Sequence, residues 1–437
     1  MKKSALLSVV LIVASIGLVS CGTASSYSST PSHFTTRVLA SQSVSSPTAA
    51  AGLVLIDGWI DTLGRGGVTA GSSPGLMAIS PDRSVLLSFD SSSNKVYVTN
   101  TKTDASTGSI QLPGATISMV IPVDSSAYAA VPSAGLIGSS PGAVVGMNVA
   151  SGGVAWTISV PNAQTVVSNP TGSQLLVFSN DSDSVTVVYP QLVNTGNPVT
   201  VTVPGFDRPV NAVYSSDGST AYILNCGAQC GGTQASVQVM DFSTTPPTAG
   251  AKVLVNGATD AYLSGSTLYV AGLGTPTGPL CASIPSAAKT AAQYCGYLDV
   301  VNLNTMQDPN YNNPTSEIAI TNGYHDRMDL SSNGQLFVGS YGCTSVGDVN
   351  ATPPVGEVRG CLAIYNTTNG AVVIPPDNGD VTGLQSFSTR YVEYVAEGGN
   401  LRVYDTTIDS LLINQYIETG TITITGQVID VRAIDFF

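Results

Sequence analysis

The chain has 437 residues, of which 10% are charged, 45 are glycine and 25 are proline. Typical soluble domains have about 25% charged residues, so the composition excludes long helices held by surface ion pairs. The formal net charge is −13 and Lys and Arg are not clustered, which excludes nucleic acid and anionic lipid surfaces as partners. An apolar content of 43% with so many turn formers favours a fold of many short strands.

The first twenty residues have the pattern of an export signal. Lys2 and Lys3 precede an apolar stretch over residues 5–19, which is too short to predict a membrane span. Residues 18–21 read Leu-Val-Ser-Cys and resemble the lipobox of bacterial lipoproteins. The resemblance implies cleavage before Cys21 and acylation of that cysteine, so we expect a membrane-anchored lipoprotein, periplasmic or at the cell surface. An ordinary secretory signal with a chance cysteine is the alternative.

A segment rich in serine and threonine follows the signal. These two residue types take 14 of the 29 positions in residues 22–50, a composition that buries too little apolar surface to fold. The segment is therefore predicted to be a flexible tether. The predicted division is a signal peptide over residues 1–20, the acylated cysteine and tether over 21–50, and one folded domain over 51–437.

The remainder of the chain repeats one unit. The clearest copy starts with Met-Ala-Ile-Ser-Pro-Asp at residues 77–82, continues with an apolar run at 85–89, turns at 91–94 and ends with a run at 95–100. The seven copies begin about 51 residues apart on average, and each has four short runs of β-branched and aromatic residues. Four strands at this period predict the blades of a β-propeller. The other six copies begin near Ser118, Thr165, Asn211, Asp260, Arg327 and Leu384.

The motifs of the first copy resemble a known repeat family. Residues 71–82, followed by Val-Tyr-Val-Thr-Asn at 96–100, resemble the YVTN family of β-propeller repeats, which is similar to the lactonase-type propellers. The resemblance implies an all-β fold, usually with seven blades. Apolar runs at 53–56, 68–70 and 428–437 lie outside the seven copies, and we expect them to pair into a composite closing blade. We therefore predict eight blades, with seven as the alternative.

Six cysteines besides Cys21 fall in three consecutive blades, one close pair between the second and third strands of each. An exported chain meets an oxidising compartment, so disulfides are expected. Six cysteines allow fifteen pairings, and closure of three local loops is the simplest of them. A redox motif or a zinc site would need two-residue spacings that the chain lacks. The predicted pairs are Cys226 with Cys230, Cys281 with Cys295, and Cys343 with Cys361.

Few residues suggest catalysis. Residues 71–75 match the Gly-x-Ser-x-Gly pattern of hydrolases, but a strand pattern follows where the hydrolase turn needs a helix. His325 is the one histidine of the predicted propeller. The sequence predicts no cofactor and no metal site. We expect a binding or scaffold module rather than an enzyme, and a lactonase-like hydrolase or isomerase using the channel mouth is the alternative.

The predicted binding surface lies on one face of blades four to six. Two long loops there, residues 272–296 and 340–360, adjoin cysteine pairs, and disulfides would restrain them for recognition or protect them from proteolysis. Residues 324–327 precede an innermost strand. Two roles are open for their side chains: contact with a ligand, or hydrogen bonds and ion pairs between blades. We expect the protein to be a monomer. Its expected partner is an envelope protein, a glycan or a small molecule. The candidate contacts are Tyr294, Tyr297, Tyr324, His325, Asp326, Arg327 and Tyr341.

Overall fold

The structure is a computed structural model, and it describes ten segments of the chain. The signal segment, Cys21, Cys281, Tyr294 and most of the two long loops lie outside these segments. The described residues are 34–43, 52–135, 140–194, 196–274, 295–343, 360–375, 379–387, 389–407, 418–424 and 426–435.

Strands dominate the described residues. In chain order the first sixteen are β1 (Thr36–Ser43), β2 (Leu53–Asp57), β3 (Thr62–Val68), β4 (Pro74–Ile79), β5 (Val85–Asp90), β6 (Lys95–Asn100), β7 (Ala105–Gln111), β8 (Ser118–Val123), β9 (Ser126–Val131), β10 (Ala143–Asn148), β11 (Gly153–Ser159), β12 (Ala163–Ser168), β13 (Leu175–Ser179), β14 (Ser184–Asn194), β15 (Asn197–Pro204) and β16 (Pro209–Tyr214). The others are β17 (Ala221–Asn225), β18 (Ser236–Asp241), β19 (Thr248–Leu254), β20 (Asp260–Ser264), β21 (Thr267–Gly274), β22 (Cys295–Asn302), β23 (Ala319–Ile320), β24 (Tyr324–Leu330), β25 (Gln335–Tyr341), β26 (Leu362–Asn366), β27 (Val372–Val373), β28 (Val381–Ser386), β29 (Val392–Glu397), β30 (Asn400–Asp405), β31 (Glu418–Ile422) and β32 (Gln427–Asp435).

These strands form eight four-stranded antiparallel sheets, arranged as the blades of a propeller, so the prediction of eight blades is confirmed. Blades one to seven each contain four consecutive strands, beginning with β4 in blade one and β28 in blade seven. The first strand of each sheet contacts the first strands of its neighbours, which places those strands around a central channel. A short 3-10 helix, Gly227–Cys230, follows β17. Within the described segments, no helix is long and apolar enough to cross a membrane.

The eighth blade joins the two ends of the described chain. β32 is its innermost strand, and β1, β2 and β3 follow outwards. β1 and β32 pair antiparallel from Thr36 opposite Asp435 to Ser43 opposite Gln427. This composite sheet closes the ring, so the edges of β1 and β32 that face each other are not left unpaired. The seven-bladed alternative is excluded.

The prediction that residues 21–50 form a tether is wrong for residues 36–43, which form β1. Val38, Leu39 and Ala40 are fully buried in this strand. The other five residues of β1 are polar, so its composition resembles that of the Ser/Thr-rich segment around it. Pairing with β2 on one side and β32 on the other compensates for the small apolar content, and β32 lies almost 400 residues away in the sequence, so this segment alone does not reveal that partner.

The turns between first and second strands have the side-chain hydrogen bonds that the repeat predicts. In blade one, Ser80 Oγ donates to Asp82 Oδ1 at 2.6 Å, and the Ser84 amide donates to the same oxygen at 2.8 Å. In blade four, Ser215 Oγ donates to Asp217 Oδ1, also at 2.6 Å. Such Asx hydrogen bonds stabilise a tight turn without help from the rest of the fold.

The hydrophobic core lies between neighbouring blades. One cluster joins blades one and two through residues such as Leu87 and Val98 on one side and Ala129 and Val145 on the other. Another joins blade seven to the closing blade through residues that include Tyr394 and Val431. Each blade packs face to face on the next through such clusters, which hold the innermost strands in fixed positions.

Two of the three predicted disulfides are confirmed, Cys226–Cys230 and Cys343–Cys361. Cys295 is also disulfide-bonded, and its predicted partner Cys281 lies outside the described residues. Both described bridges follow second strands, so they lie on the same face as the links from one blade to the next.

Candidate binding site at the channel mouth

A cavity of about 880 Å³ lies where the innermost strands converge. Residues from all eight of those strands line it. Ser182, Cys230 and Tyr341 also line it, and they come from the ends of second strands or the connections that follow them. The cavity therefore opens on the face that carries the two described disulfides, and its volume suits a small-molecule ligand.

Two tyrosines form one side of the mouth. Tyr324 begins β24 and Tyr341 ends β25, and the register places them opposite each other. Their ring centroids are 5.4 Å apart and their planes are tilted by 38°. Tyr341 is 45% exposed, whereas burial raises the pKa of Tyr324 above its usual value. The pair gives the mouth an aromatic surface beside the Cys343–Cys361 bridge.

Asp326 and Arg327 line the cavity next to the tyrosines. Arg327 Nη1 donates to Asp326 Oδ2 at 3.0 Å, and its Nε donates to the carbonyl of Thr382 at 2.9 Å. Burial raises the pKa of Asp326, although the positive charge of Arg327 opposes the shift. Asp326 Oδ1 is buried and has no hydrogen-bond partner within the described residues, whereas the side chain as a whole is 30% exposed.

A β-bulge sets the direction of these side chains. The register between β24 and β25 shifts between His325 and Arg327, and similar shifts occur in the inner strands of blades three, four and seven. In a regular strand Asp326 and Arg327 would point to opposite faces of the sheet. The bulge allows both of them to line the cavity.

His325 does not line the cavity. The side chain is fully buried, and its Nε2 lies 2.8 Å from the carbonyl oxygen of Thr321. Burial lowers the pKa of His325 to about 4, although the hydrogen bond to Thr321 opposes the shift, so the ring is neutral at neutral pH. The histidine therefore bonds to the link that precedes β24 and is not among the residues that line the cavity.

Asp260 is a cavity residue that the predicted contacts omit. It begins β20, and Asn211 Nδ2 donates to its Oδ1 at 3.1 Å. Burial and then the negative charge of Asp326 raise the pKa of Asp260 to about 7, against the opposing charge of Arg327. This carboxyl therefore exchanges its proton near neutral pH. In the sequence, its position at the start of a predicted inner strand was the available signal, and Asp430 shares that signal.

Asp430 shows the other use of an acidic residue on an inner strand. It is 1% exposed, and its carboxylate accepts hydrogen bonds from the Met77 amide at 2.9 Å and from Arg432 Nη1 at 2.7 Å. Arg432 Nη2 in turn donates to the Met77 carbonyl at 2.8 Å. These bonds join the closing blade to blade one. Charged residues on inner strands thus join neighbouring blades, and some of them, such as Asp260 and Arg327, also line the cavity.

Arg208 also lines the cavity, at the start of blade four. Its guanidinium lies 3.7 Å from Asp183 and 3.9 Å from Asp181, and both carboxylates are largely exposed, so these ion pairs contribute little. Gln229, in the crosslinked turn of blade four, accepts a hydrogen bond from the Leu273 amide of blade five at 2.9 Å. Across the described segments, no group of three or more His, Cys, Asp or Glu side chains is arranged to hold a metal ion.

Of the predicted contacts, the structure brings Tyr324, Asp326, Arg327 and Tyr341 together around the mouth. Tyr297 is fully buried in β22, so its side chain does not reach a binding surface. The absence of a side chain at Gly274 on the paired strand makes room for that ring, since a Cβ there would lie 3.0 Å from it. Tyr294 lies outside the described residues, as do most of the two long loops.

Comparison with known proteins supports the fold. No protein-family model and no curated protein matches the chain. The dihydro-heme d1 dehydrogenase NirN, solved with DHE, is similar over 95% of this chain and 78% of its own, with a TM-score of 0.59 and 11% identity. The propeller domain of Cps50 (Swd1) from Myceliophteria thermophila is similar over 74% of this chain and 92% of its own, with a TM-score of 0.50 and 10% identity. The periplasmic gluconolactonase PpgL from Pseudomonas aeruginosa is similar over 91% of this chain and 99% of its own, with a TM-score of 0.49 and 14% identity. At these identities the likeness to NirN and to the Cps50 propeller supports the β-propeller fold alone.

Proposed function

We propose that this protein is a YVTN-type, lipid-anchored propeller of the cell envelope that binds a small polar molecule, or the end of a glycan, at its channel mouth. The observation that carries the proposal is the grouping of Tyr324, Tyr341, Asp326, Arg327 and Asp260 around one cavity of about 880 Å³. The two described disulfides, in blades four and six, lie on the face where that mouth opens.

The residues at the mouth suit a ligand that carries hydroxyl groups. The tyrosine rings can pack on the apolar face of a ring, while carboxylate oxygens accept hydrogen bonds and the guanidinium donates them. The Asp326 side chain is 30% exposed in the cavity lining, so a ligand hydroxyl can donate a hydrogen bond to its carboxylate. The Cys343–Cys361 bridge restrains the chain beside the tyrosines, so binding costs less conformational entropy there.

Binding can be tested with the purified full chain and an extract of the cell envelope. Compounds that the wild-type protein retains are identified by mass spectrometry, and their affinities are then measured. Tyr324→Ala and Asp326→Asn should each weaken binding by roughly ten-fold, because each removes one contact of about 1.4 kcal/mol. Val154→Ser, at a 44% exposed position on the outer strand of blade two, should bind as the wild type does. Unchanged affinity in both mouth variants would place the binding site elsewhere.

The alternative function, a lactonase-like hydrolase or isomerase, is favoured by one observation. Asp260 has a pKa of about 7, the range in which a carboxylate works well as a general base, and Arg327 is close enough to interact with its charge. The same protein preparations discriminate between the two functions. Turnover of an added δ-lactone that is lost in Asp260→Asn would favour the enzyme, whereas binding without turnover supports the binding module.

A further inference from the structure

A patch of exposed apolar side chains lies on the face opposite the cavity mouth. Trp59 and Ile60, 68% and 58% exposed, occupy the turn between β2 and β3, and Leu63, 48% exposed, follows in β3. Tyr391, 53% exposed, lies between β28 and β29 and lines a groove together with Ile60. These four residues, called the apolar patch below, are half of the eight exposed large hydrophobic side chains among the described residues.

Hydrogen bonds between two blades hold the apolar patch together. Arg390 Nη1 donates to the Gly58 carbonyl at 2.7 Å and to Asp61 Oδ1 at 2.5 Å. The hydroxyl of Tyr394 also donates to Asp61. The turn that carries Trp59 is therefore fixed to the segment that carries Tyr391, and the Asp61 carboxylate between them is paired with a cation.

The chain enters the propeller beside the apolar patch. Phe34 is the first described residue, Thr36 begins β1, and the Gly58 amide donates to the Thr36 carbonyl at 3.0 Å. Trp59 is the next residue after Gly58. The face with the cavity mouth lies at the other end of β1, which has 8 residues and is therefore about 26 Å long at 3.3 Å per residue.

The predicted lipid anchor is close to this entry point along the chain. Phe34 is the thirteenth residue after Cys21, and an extended chain spans at most about 3.5 Å per residue, or about 45 Å in all. A bilayer that holds acyl chains on Cys21 must therefore lie within that distance of Phe34. The nearest face of the propeller to this point is the one with the apolar patch.

We propose that the apolar patch sits in the headgroup region of the membrane that holds the Cys21 anchor, so that the cavity mouth faces away from that membrane. The inference rests on the anchoring that is part of the proposed function. Trp and Tyr are enriched at the membrane–water interface, because each has an apolar ring and a polar hydrogen-bonding group. The net charge of −13 opposes contact with anionic lipids, so the partner is a surface of uncharged headgroups.

The test uses the full chain, produced with its lipid anchor and reconstituted into phosphatidylcholine vesicles. The protein has two tryptophans, Trp59 and Trp156, so Trp156→Phe leaves Trp59 as the single reporter. Bromine on the acyl chains quenches tryptophan that lies at the membrane interface. We expect brominated vesicles to lower Trp59 emission at least two-fold relative to plain vesicles. The matched control, Trp59→Phe with Trp156 kept, should be unaffected, since Trp156 packs on Tyr128 in blade two.

Two further variants separate the patch from the anchor. The double variant Ile60→Ser and Tyr391→Ser should still sediment with the vesicles but should lose most of the quenching of Trp59. Cys21→Ser should no longer sediment. If the protein sediments and Trp59 is not quenched, the orientation proposed here is wrong while the anchoring stands. If the chain with Cys21 intact does not sediment, the anchoring fails and the orientation fails with it.

Discussion

Asp260 and Asp82 are the same residue type in opposite electrostatic environments. Burial and the neighbouring Asp326 carboxylate raise the pKa of Asp260 to about 7. Hydrogen bonds from Ser80 and Ser84 lower the pKa of Asp82, in an exposed turn, to about 2. Desolvation therefore favours the neutral acid at the cavity, and donor groups favour the carboxylate at the turn. Asp82 is suited to hold a turn, and Asp260 is suited to exchange a proton with a ligand.

The raised pKa of Asp260 makes its contribution to stability depend on pH. Between the ordinary value of 3.8 and about 7, the folded protein holds a proton at Asp260 that the unfolded chain has lost. The contribution of this residue to stability therefore falls as pH rises through that window. Asn cannot ionise. The melting temperature of Asp260→Asn should therefore rise relative to that of the wild type as the pH is raised from about 4 to about 8. Melting curves across this range are the measurement, and a difference that does not change with pH would contradict the assignment.

At the scale of strands, a recurring contact joins neighbouring blades. Asp430 accepts the Met77 amide of blade one at 2.9 Å, and Asp329 of blade six accepts the Ser386 amide of blade seven at 2.6 Å. Ser118 Oγ of blade two accepts the Val166 amide of blade three at 3.1 Å. The first strands of adjacent sheets do not pair through their backbones, so side chains supply the missing partners for buried amides.

The contact at Asp430 should be the most sensitive of these, because its carboxylate is buried and also binds Arg432. Asp430→Ala leaves the Arg432 guanidinium and the Met77 amide without that acceptor, and we expect the free energy of unfolding to fall by about 3–5 kcal/mol. Asp430→Asn keeps an acceptor for the amide and should lose less. Denaturant unfolding of the three proteins measures the difference. Equal stability of the Ala variant and the wild type would show that the contact does not hold the blades together.

At the scale of the molecule, ion pairs are concentrated where the closing blade meets its neighbours. Arg37 of β1 binds Asp104 of blade one at 2.7 Å, and both side chains are buried. Arg390 of blade seven binds Asp61 of the closing blade on the other side. Charged residues are only 10% of the chain, so their use here is selective. Paired charges with a fixed geometry favour one register of strand pairing. This matters most in the closing blade, whose strands come from opposite ends of the described chain.

Closure predicts how the whole ring responds to loss of one strand. Deleting residues 427–435 removes β32, the inner partner of β1, and exposes the core clusters shared with blades seven and one. We expect the shortened chain to lose the cooperative thermal transition of the intact protein, measured by calorimetry. A peptide with the sequence of residues 426–437, added in excess, should restore the transition by pairing with β1. A transition that survives the deletion unchanged would mean that the seven other blades are stable without closure.

Local patterns in the sequence determined the propeller. The repeat period, the Ser-Pro-Asp turns and the spacing of Cys226 and Cys230 each depend on residues near one another in the chain, so they can be recognised before the fold is known. The expectation of a composite closing blade came from the same reasoning, because apolar runs remained at both ends after seven copies had been counted. Tyr324, Asp326, Arg327 and Tyr341 line the mouth, and their face of the propeller follows from the sequence because strand order fixes the face on which strand ends lie.

The tertiary structure decided what depends on residues far apart in the chain. β1 is a strand because β2 and β32 pair with it, although its own composition resembles that of the tether predicted around it. Tyr297 is buried because of the packing around it, and His325 is turned away from the cavity because of a bulge. The residue types predict neither feature. The pKa of Asp260 depends on Asp326, which lies on the next blade. For β1 and Asp260, the deciding group is brought near by ring closure or by the packing of one blade on the next. For Tyr297 and His325, it is the pairing of strands within one blade, whose register the residue types do not specify.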